Sequence, residues 1–311
     1  EAAGHEAILV YTDNRLVDAW LVAAEVVRST ERLCPLVAVQ PVYMHPYTVA
    51  KMVATFAHLH GRKLWLNFVA GGFRNDLVAL NDQTPHDQRY ARVAEYVEIM
   101  NRLVKGETVT FDGAFYRVEN LRLTPPVDPE LLPQIMLSGS SEAGLETARR
   151  LDAIAVQYPQ PPAEYEAVRP AADLVSGIRV GVIARETAEA AWQIAFERFP
   201  PDRKGQIAHQ LAMKTSDSSW HRQLSQAAPG AVATDDAVDA QPAEERDPYW
   251  LLPFENYKTF CPYLVGDYGQ VAEQISLYME AGYRTFILDI PPSREELSHI
   301  KTVFQHAGAA A

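Results

Sequence analysis

Cysteine is scarce in this sequence: its 311 residues include only two, Cys34 and Cys261, and they stand far apart. This spacing suits neither a disulfide-rich domain nor a cysteine metal site. We therefore expect two free thiols in a cytoplasmic protein. The opening residues EAAGHEAILV lack a basic region followed by an apolar stretch, so no secretory signal is predicted.

Long apolar runs and clusters of basic residues are also lacking. No segment approaches the roughly 18 uninterrupted apolar residues of a membrane span, so we expect a soluble chain without a membrane partner. The formal net charge is −12. Because such a surface repels polyanions, nucleic acid is not an expected partner. The histidines show no metal-ligand spacing, and no catalytic metal is expected.

The sequence does contain an alternation of short apolar runs, rich in β-forming residues, with longer helical patterns. Seven runs predict strands buried on both faces: Ala7–Tyr11, Leu33–Val39, Leu64–Val69, Gln134–Leu137, Asp152–Val156, Ile178–Ala184 and Thr285–Leu288. Six stretches predict helices: Leu16–Ser29, Thr48–His60, Asp87–Val104, Glu142–Arg150, Thr187–Arg198 and Val271–Ala281. This regular alternation indicates parallel strands joined by right-handed crossovers.

The predicted fold class is α/β, a (β/α)8 TIM barrel formed by residues 1–311 as a single domain. The first residues look like a helix end that leads into a strand, so the first βα unit is predicted to be missing from the sequence. Two segments interrupt the alternation. Thr108–Leu123 predicts a hairpin that turns at Asp112-Gly113. The Ala-, Asp- and Pro-rich segment Ser216–Asp247 predicts a mobile insertion, a lid over the barrel mouth.

Candidate site residues follow the predicted strands, because the active site of such a barrel lies at the carboxyl ends of its strands. The pair Gly71-Gly72 allows close approach to a flat ligand, or forms a simple turn. The segment Ser138–Ser141 precedes a helix and indicates a phosphate site or an ordinary serine cap. His86 and Tyr90 share one face of a long helix. They could grip a polar ligand, or they mark a helix start with a buried tyrosine.

An ordered set of motifs covers most of the chain outside the insertion: Asp18–Ala24, Pro46–Phe56, Asn67–Gly71, His86-x-x-Arg89-Tyr90 with Glu95, Gly139–Ser141, Gly177–Arg179, Ala184–Thr187 with Trp192, and Val265–Asp267 leading to Ala281-Gly282. This set resembles the bacterial luciferase-like flavin-dependent monooxygenases, and within them the alkanesulfonate monooxygenase branch. The resemblance implies reduced FMN (FMNH2) from a separate flavin reductase, addition of O2 at the flavin C4a carbon, and oxygenation of a small organic substrate by the resulting peroxyflavin. It also implies a homo-oligomer.

The resemblance assigns seven residues to the cofactor. They would line the isoalloxazine ring, contact the polar tail and hold the phosphate, in three groups: Asn67, Val69 and Gly71; His86 and Tyr90; Ser140 and Ser141. A phosphate dianion needs hydrogen-bond donors, and a serine-rich helix start supplies them.

On the substrate side the resemblance implies three candidate catalytic residues: Arg179, Tyr158 and Tyr257. Arg179 matches a substrate-site arginine of the branch. Tyr158 replaces a tryptophan, and Tyr257, which precedes Lys258, replaces a lid arginine. Further departures are Leu16 for a cysteine, Gly181 for a histidine, and Pro291 and Ser293 for a tyrosine and a histidine. We therefore expect an organic substrate other than a simple alkanesulfonate.

Three alternatives remain open at this point. Arg179 binds an anionic or carbonyl part of the substrate, or it forms an internal ion pair with a carboxylate from a neighbouring strand. The enzyme could instead be a deazaflavin-dependent oxidoreductase that transfers hydride and uses no O2. It could also be a flavin-binding protein without catalytic activity.

Overall fold

The computed structural model describes residues 1–71, 74–162, 170, 172–215 and 241–308. The chain divides into two compact units, Glu1–Ala155 and Val156–Ala311. Residues 216–240 of the predicted insertion lie outside the described residues. Within the described ranges, no helix is long and apolar enough to span a membrane.

Strands and helices alternate in the first unit. Its strands are β1 (Ala7–Val10), β2 (Cys34–Val39), β3 (Trp65–Val69), β4 (Thr108–Asp112), β5 (Arg117–Arg122) and β6 (Gln134–Ser138), and β7 (Ile154–Gln157) spans the unit boundary. Its helices are α1 (Ala19–Ser29), α2 (Pro46–His60), α3 (Arg74–Ala79), α4 (His86–Val104) and α5 (Glu142–Arg150).

Strands β1, β2, β3 and β6 pair in parallel in that order. Strand β2 is buried along its whole length, as expected for a parallel strand covered on both faces. In the register, Val69 at the end of β3 lies opposite Ser138 at the end of β6. The carboxyl ends of these two strands therefore meet, and the segments that follow them start side by side.

Local capping decides where two of the helices begin and end. Helix α1 begins at Ala19, later than the predicted Leu16, because the Asp18 carboxylate accepts the first-turn N–H groups of Trp20 and Leu21. Helix α2 ends where Gly61 adopts a left-handed φ of 59°.

The predicted hairpin is confirmed by the antiparallel pairing of β4 with β5. Glu95 of α4 holds its turn, since the Glu95 carboxylate accepts backbone N–H groups from Ala114, Phe115 and Tyr116 at 2.8, 2.9 and 3.1 Å. Charge-assisted bonds of this kind are stronger than neutral ones. They fix the hairpin to α4.

The second unit is built around one long strand. Its strands are β8 (Ser176–Arg185), β9 (Tyr249–Trp250), β10 (Tyr263–Asp267) and β11 (Tyr283–Leu288). Its described helices are α6 (Ala188–Arg198), α7 (Arg203–Thr215), α8 (Leu252–Glu255), α9 (Tyr268–Ala281) and α10 (Arg294–His306).

Strand β8 pairs in parallel with β11 along its first half and with β10 along its second half. Ile178, Val180 and Val182 of β8 belong to one buried core with side chains of α9 and α10. Since successive side chains of a strand point to opposite faces, Arg179 lies on the other face.

All seven predicted strands are present, with ends shifted by one or two residues. Strand β10 was not predicted, because Gly266 interrupts its short apolar run and Pro262 precedes it. The end of the predicted insertion is packed rather than loose. There the Arg246 guanidinium lies 5.4 Å from the ring centroids of Trp192 and Phe196 on α6.

Candidate active site

Gly139–Ser141, the segment between β6 and α5, is part of the candidate cofactor site of the first unit. Ser141 is the N-cap of α5, where its hydroxyl accepts the Gly144 N–H at 3.1 Å. The ordinary serine cap considered from the sequence is therefore present. By helix geometry, the N–H groups of Glu142 and Ala143 have no carbonyl partner within the helix. The turn thus offers backbone donors in addition to the Ser140 and Ser141 hydroxyls.

Tyr90 of α4 packs closely against this segment. Its hydroxyl donates to the Ser138 carbonyl at 3.4 Å, and a Cβ at position 139 would collide with that hydroxyl. Only glycine therefore fits at position 139 without displacing Tyr90. Burial raises the pKa of the Tyr90 phenol, so this group remains a protonated donor.

His86 shares a face of α4 with Tyr90, as the four-residue spacing predicts. The two rings lie 5.2 Å apart between centroids at an interplanar angle of 65°. The His86 Nδ1 atom lies 2.7 Å from a carboxylate oxygen of Asp87. This contact orients the imidazole ring.

The predicted ring-contacting residues lie at the end of β3. Asn67 is buried, and its side-chain oxygen accepts the Ser138 hydroxyl at 2.9 Å. Val69 is the ladder partner of Ser138. Gly71 has a φ of 96°, and a Cβ there would lie 2.9 Å from Leu77. A larger residue at position 71 would therefore be both strained and crowded. Asn67 and Tyr90 both form hydrogen bonds with Ser138, the last residue of β6, and Ser141 follows three residues later. Their positions along the sequence did not predict this grouping.

In the second unit, Arg179 forms an ion pair. Its Nη2 atom lies 3.3 Å from Oδ1 of Asp289, and both side chains are 12% exposed. Asp289 directly follows β11, and its N–H continues the ladder by donating to the Val180 carbonyl at 3.0 Å. The alternative of an internal ion pair with a neighbouring strand is therefore confirmed. The role of Arg179 in substrate binding stays a prediction.

Tyr263 of β10 completes this group. Its hydroxyl donates to Oδ2 of Asp289 at 2.8 Å. A Cβ at Gly181 would collide with the Tyr263 ring, so the ring occupies the place of a side chain at that position. Burial, together with the nearby Asp289 charge, raises the pKa of the Tyr263 phenol far above its usual range. Tyr263 is therefore a neutral donor to one carboxylate oxygen of Asp289, while Arg179 contacts the other.

The partly buried Tyr158 and the buried Cys261 also lie close to Arg179. Burial raises the pKa of the Tyr158 phenol, an effect that the nearby Arg179 charge opposes. Burial likewise raises the pKa of the Cys261 thiol. Both groups therefore remain uncharged beside the guanidinium.

Tyr257 stands in a different setting. It follows α8 with a φ of 56°, and its ring lies 5.9 Å from the His209 ring and 6.2 Å from the Phe260 ring. The structure brings Tyr158 to Arg179 but gives Tyr257 these other neighbours. The catalytic assignments of Arg179, Tyr158 and Tyr257 remain predictions. In the described ranges, no group of three or more His, Cys, Asp or Glu residues could hold a metal ion.

Comparison with known proteins places this geometry in a family. Residues 1–285 match the model of the luciferase-like monooxygenases. The chain is 35% identical to 4-(gamma-L-glutamylamino)butanoyl-[BtrI acyl-carrier protein] monooxygenase BtrO of Niallia circulans, over 97% of this chain and 87% of that protein. The chain belongs to the luciferase-like monooxygenase family.

Solved structures of this family's fold are also similar. EDTA monooxygenase from Chelativorans sp. BNC1 has a TM-score of 0.73 at 17% identity, over 97% of this chain and 83% of that one. The coenzyme F420-dependent tetrahydromethanopterin reductase from Methanopyrus kandleri has a TM-score of 0.65 at 12% identity, over 99% and 92% of the two chains. At these identities the likeness shows the fold alone.

Membership of the luciferase-like family confirms two predictions. The chain has the α/β fold of the TIM-barrel type, and it is a flavin-dependent monooxygenase. In that fold the active site lies at the carboxyl ends of the strands. In the first unit, Ser138 is the last residue of β6.

Three residues of the luciferase-like chain escaped the sequence reasoning: Ser138 as the partner of Asn67, and Tyr263 and Asp289 as partners of Arg179. A signal for Asp289 was available, because a lone carboxylate follows the last predicted strand directly. Tyr263 gave no such signal, since its strand was not predicted.

Proposed function

We propose that this enzyme uses FMNH2 and O2 to oxygenate an acyl group carried on an acyl-carrier protein. The observation that carries the proposal is the 35% identity, over nearly the whole chain, to a monooxygenase whose name specifies a carrier-bound acyl substrate. The departures from the alkanesulfonate pattern at Tyr158, Gly181 and Tyr257 agree with a substrate of another class. A separate flavin reductase would supply FMNH2.

The residues of the first unit fit the phosphate end of FMN. The first turn of α5 presents backbone N–H groups, the positive end of the helix dipole and two serine hydroxyls. Tyr90 is held beside them as a neutral hydroxyl donor. Ser140 and Ser141 would hold the phosphate, and His86 and Tyr90 would contact the polar tail.

The end of β3 fits the flavin ring system. The Ser138 hydroxyl orients the side-chain amide of Asn67. Gly71 has a positive φ and places no side chain on the backbone there. Asn67, Val69 and Gly71 would line the ring, where a side chain at position 71 would obstruct a flat ligand. When bound, the reduced flavin supplies the two electrons with which O2 yields one oxygen atom for the substrate and one for water.

The test compares a carrier-bound acyl group with the same acyl group as a free acid, each incubated with FMNH2, O2 and the enzyme. We expect the carrier-bound acyl group to gain the mass of one oxygen atom, and the free acid to react far more slowly. Oxygenation of the free acid alone would contradict the substrate proposal. An unchanged mass, despite saturable FMNH2 binding, would contradict oxygenation and favour the flavin-binding protein without activity.

A cofactor titration addresses the deazaflavin alternative. Saturable binding of FMNH2, with O2 consumed in proportion to product, is expected for the monooxygenase. Hydride transfer with a reduced deazaflavin, without O2 consumption, would instead support the oxidoreductase. A Gly71→Val variant is a matched control, because it should lose flavin binding while leaving the Ser138–Ser141 segment intact.

A further inference from the structure

Two cations are engaged by carboxylates: Arg179, which the resemblance places on the substrate side, and Lys258, the neighbour of Tyr257. Arg179 pairs with Asp289 at 3.3 Å. Lys258, beside the predicted lid position, pairs with Asp202 at 2.6 Å. Anion recognition by a protein needs a cation whose charge is available to the ligand. Here each of these two charges has an internal counter-charge.

Three described residues near Arg179 carry no positive charge: Tyr158, Gly181 and Cys261. Position 181 is glycine, and the Tyr263 ring fills the space above it. Tyr158 and Cys261 stay uncharged, since burial raises the pKa of both groups. Farther along the same strand, Arg185 pairs with Glu296, which also binds Arg198 at 3.0 Å. The charge of Arg179 is therefore balanced by Asp289, whereas Arg185 and Arg198 share the single Glu296 carboxylate farther along the strand.

Asp289 is well placed to keep Arg179 engaged. Its carboxylate accepts the Tyr263 hydroxyl at 2.8 Å, and its backbone N–H is fixed in the ladder with β8. An anionic ligand that displaced the carboxylate would leave a poorly exposed charge without its partner, which is costly. A neutral carbonyl could accept a hydrogen bond from the guanidinium without breaking the pair.

We propose that Asp289 is a specificity-determining residue: by pairing with Arg179 it excludes anionic head groups such as sulfonates and selects a neutral carbonyl, as in an acyl group bound to a carrier. The inference rests on the proposed function and on the prediction that Arg179 contacts the substrate. It assigns Asp289 a role in substrate selection and no chemical step.

The test measures binding rather than turnover. Octanesulfonate and octanamide, an anion and a neutral carbonyl of matched chain length, are titrated into the wild type by calorimetry. We expect octanamide to bind at least as tightly as octanesulfonate. In Asp289→Asn, octanesulfonate affinity should rise roughly tenfold or more, because a charge-assisted hydrogen bond becomes available. Octanamide affinity should stay within about threefold.

Tyr263→Phe is the matched control. It removes one hydrogen bond to Asp289 but keeps the ion pair, so octanesulfonate should bind as weakly as to the wild type. Should Asp289→Asn fail to fold, Asp289→Ser removes the same charge and is expected to show the same gain. Preference of the wild type for octanesulfonate, or unchanged sulfonate affinity in the folded Asp289 variant, would overturn the proposal.

These binding results are separable from the proposed function. If the charge preference holds but carrier-bound acyl groups are not oxygenated, the proposed substrate is wrong and the role of Asp289 stands. If the acyl group is oxygenated while Asp289→Asn leaves sulfonate binding unchanged, only the specificity inference fails.

Discussion

The two groups of site residues differ in how their polar atoms are satisfied. At the β6 end, Ser141 caps α5, and the first N–H groups of this helix have no carbonyl partner within it. Around Arg179, by contrast, guanidinium, carboxylate and phenol satisfy one another. In our proposal, the first arrangement binds a charged cofactor group. The second would bind a ligand without charge.

The largest expected effect tests the first arrangement. Replacing Ser140 and Ser141 together by alanine should weaken FMN binding by about 3 kcal/mol or more, since each hydrogen bond to a charged group contributes about 1.5–3 kcal/mol. Fluorescence titration with FMN gives the dissociation constant. An unchanged constant would remove the phosphate assignment.

The single serine variants separate binding from capping. Ser141→Ala should also destabilise the protein by about 1 kcal/mol, because Ser141 caps α5. Ser140→Ala is the matched variant, with weaker FMN binding and unchanged stability. If Ser140→Ala and Ser141→Ala lost equal stability, Ser141 would not be the residue that stabilises the start of α5.

The next effect concerns the Arg179–Asp289 pair itself. Asp289→Ala should lower the free energy of unfolding by about 3 kcal/mol, because it leaves Arg179 charged and poorly exposed without its counter-ion. Urea denaturation measures this loss. Combining it with Arg179→Met should recover much of the stability, whereas additive losses would show that the two residues act independently.

A smaller effect is expected for Tyr263→Phe. The variant removes one hydrogen bond to Asp289 but keeps the ring above Gly181, so we expect a loss of about 1.5 kcal/mol in the free energy of unfolding. Thermal or urea unfolding measures it. A loss as large as that of Asp289→Ala would mean that the phenol, rather than Arg179, is the main partner of the carboxylate.

The last expected effect appears only at acidic pH and concerns a different ion pair, Arg92–Asp82 of the first unit. Burial opposes ionisation of Asp82, but hydrogen bonds from Arg92 and Thr84 outweigh it and lower the Asp82 pKa from 3.8 to about 2. Because the folded pKa is depressed, this contribution to stability is present above about pH 4 and is lost as the pH falls toward 2. Asp82→Asn should remove that part of the acid dependence, measured by unfolding at several pH values. An unchanged acid profile would contradict it.

The elements of the fold that could be predicted from the sequence are those set by residues close together in the chain. Strand β2 is a continuous apolar run, and α5 begins and ends at the predicted residues Glu142 and Arg150, so local patterns sufficed. Strand β10 was missed because its pairing with β8, rather than its own short Gly-containing run, makes it a strand.

The candidate site residues also differ in whether local sequence could predict them. Ser140 and Ser141 owe their donor geometry to the helix that they begin, which sequence can indicate. The partner of Arg179 comes from a segment that follows another strand, 110 residues away. An internal ion pair was foreseen as an alternative, and the lone carboxylate directly after the last predicted strand was a signal for Asp289. Nothing in the sequence predicted that the Tyr263 ring fills the place above Gly181.

Oxygenation of a carrier-bound acyl group with O2 as the oxygen source is tested most directly by mass spectrometry. The acyl group is analysed after reaction with FMNH2 and isotopically heavy O2 in ordinary water. We expect one heavy oxygen atom in each product molecule. An unchanged acyl group, or a product whose new oxygen comes from water, would contradict it.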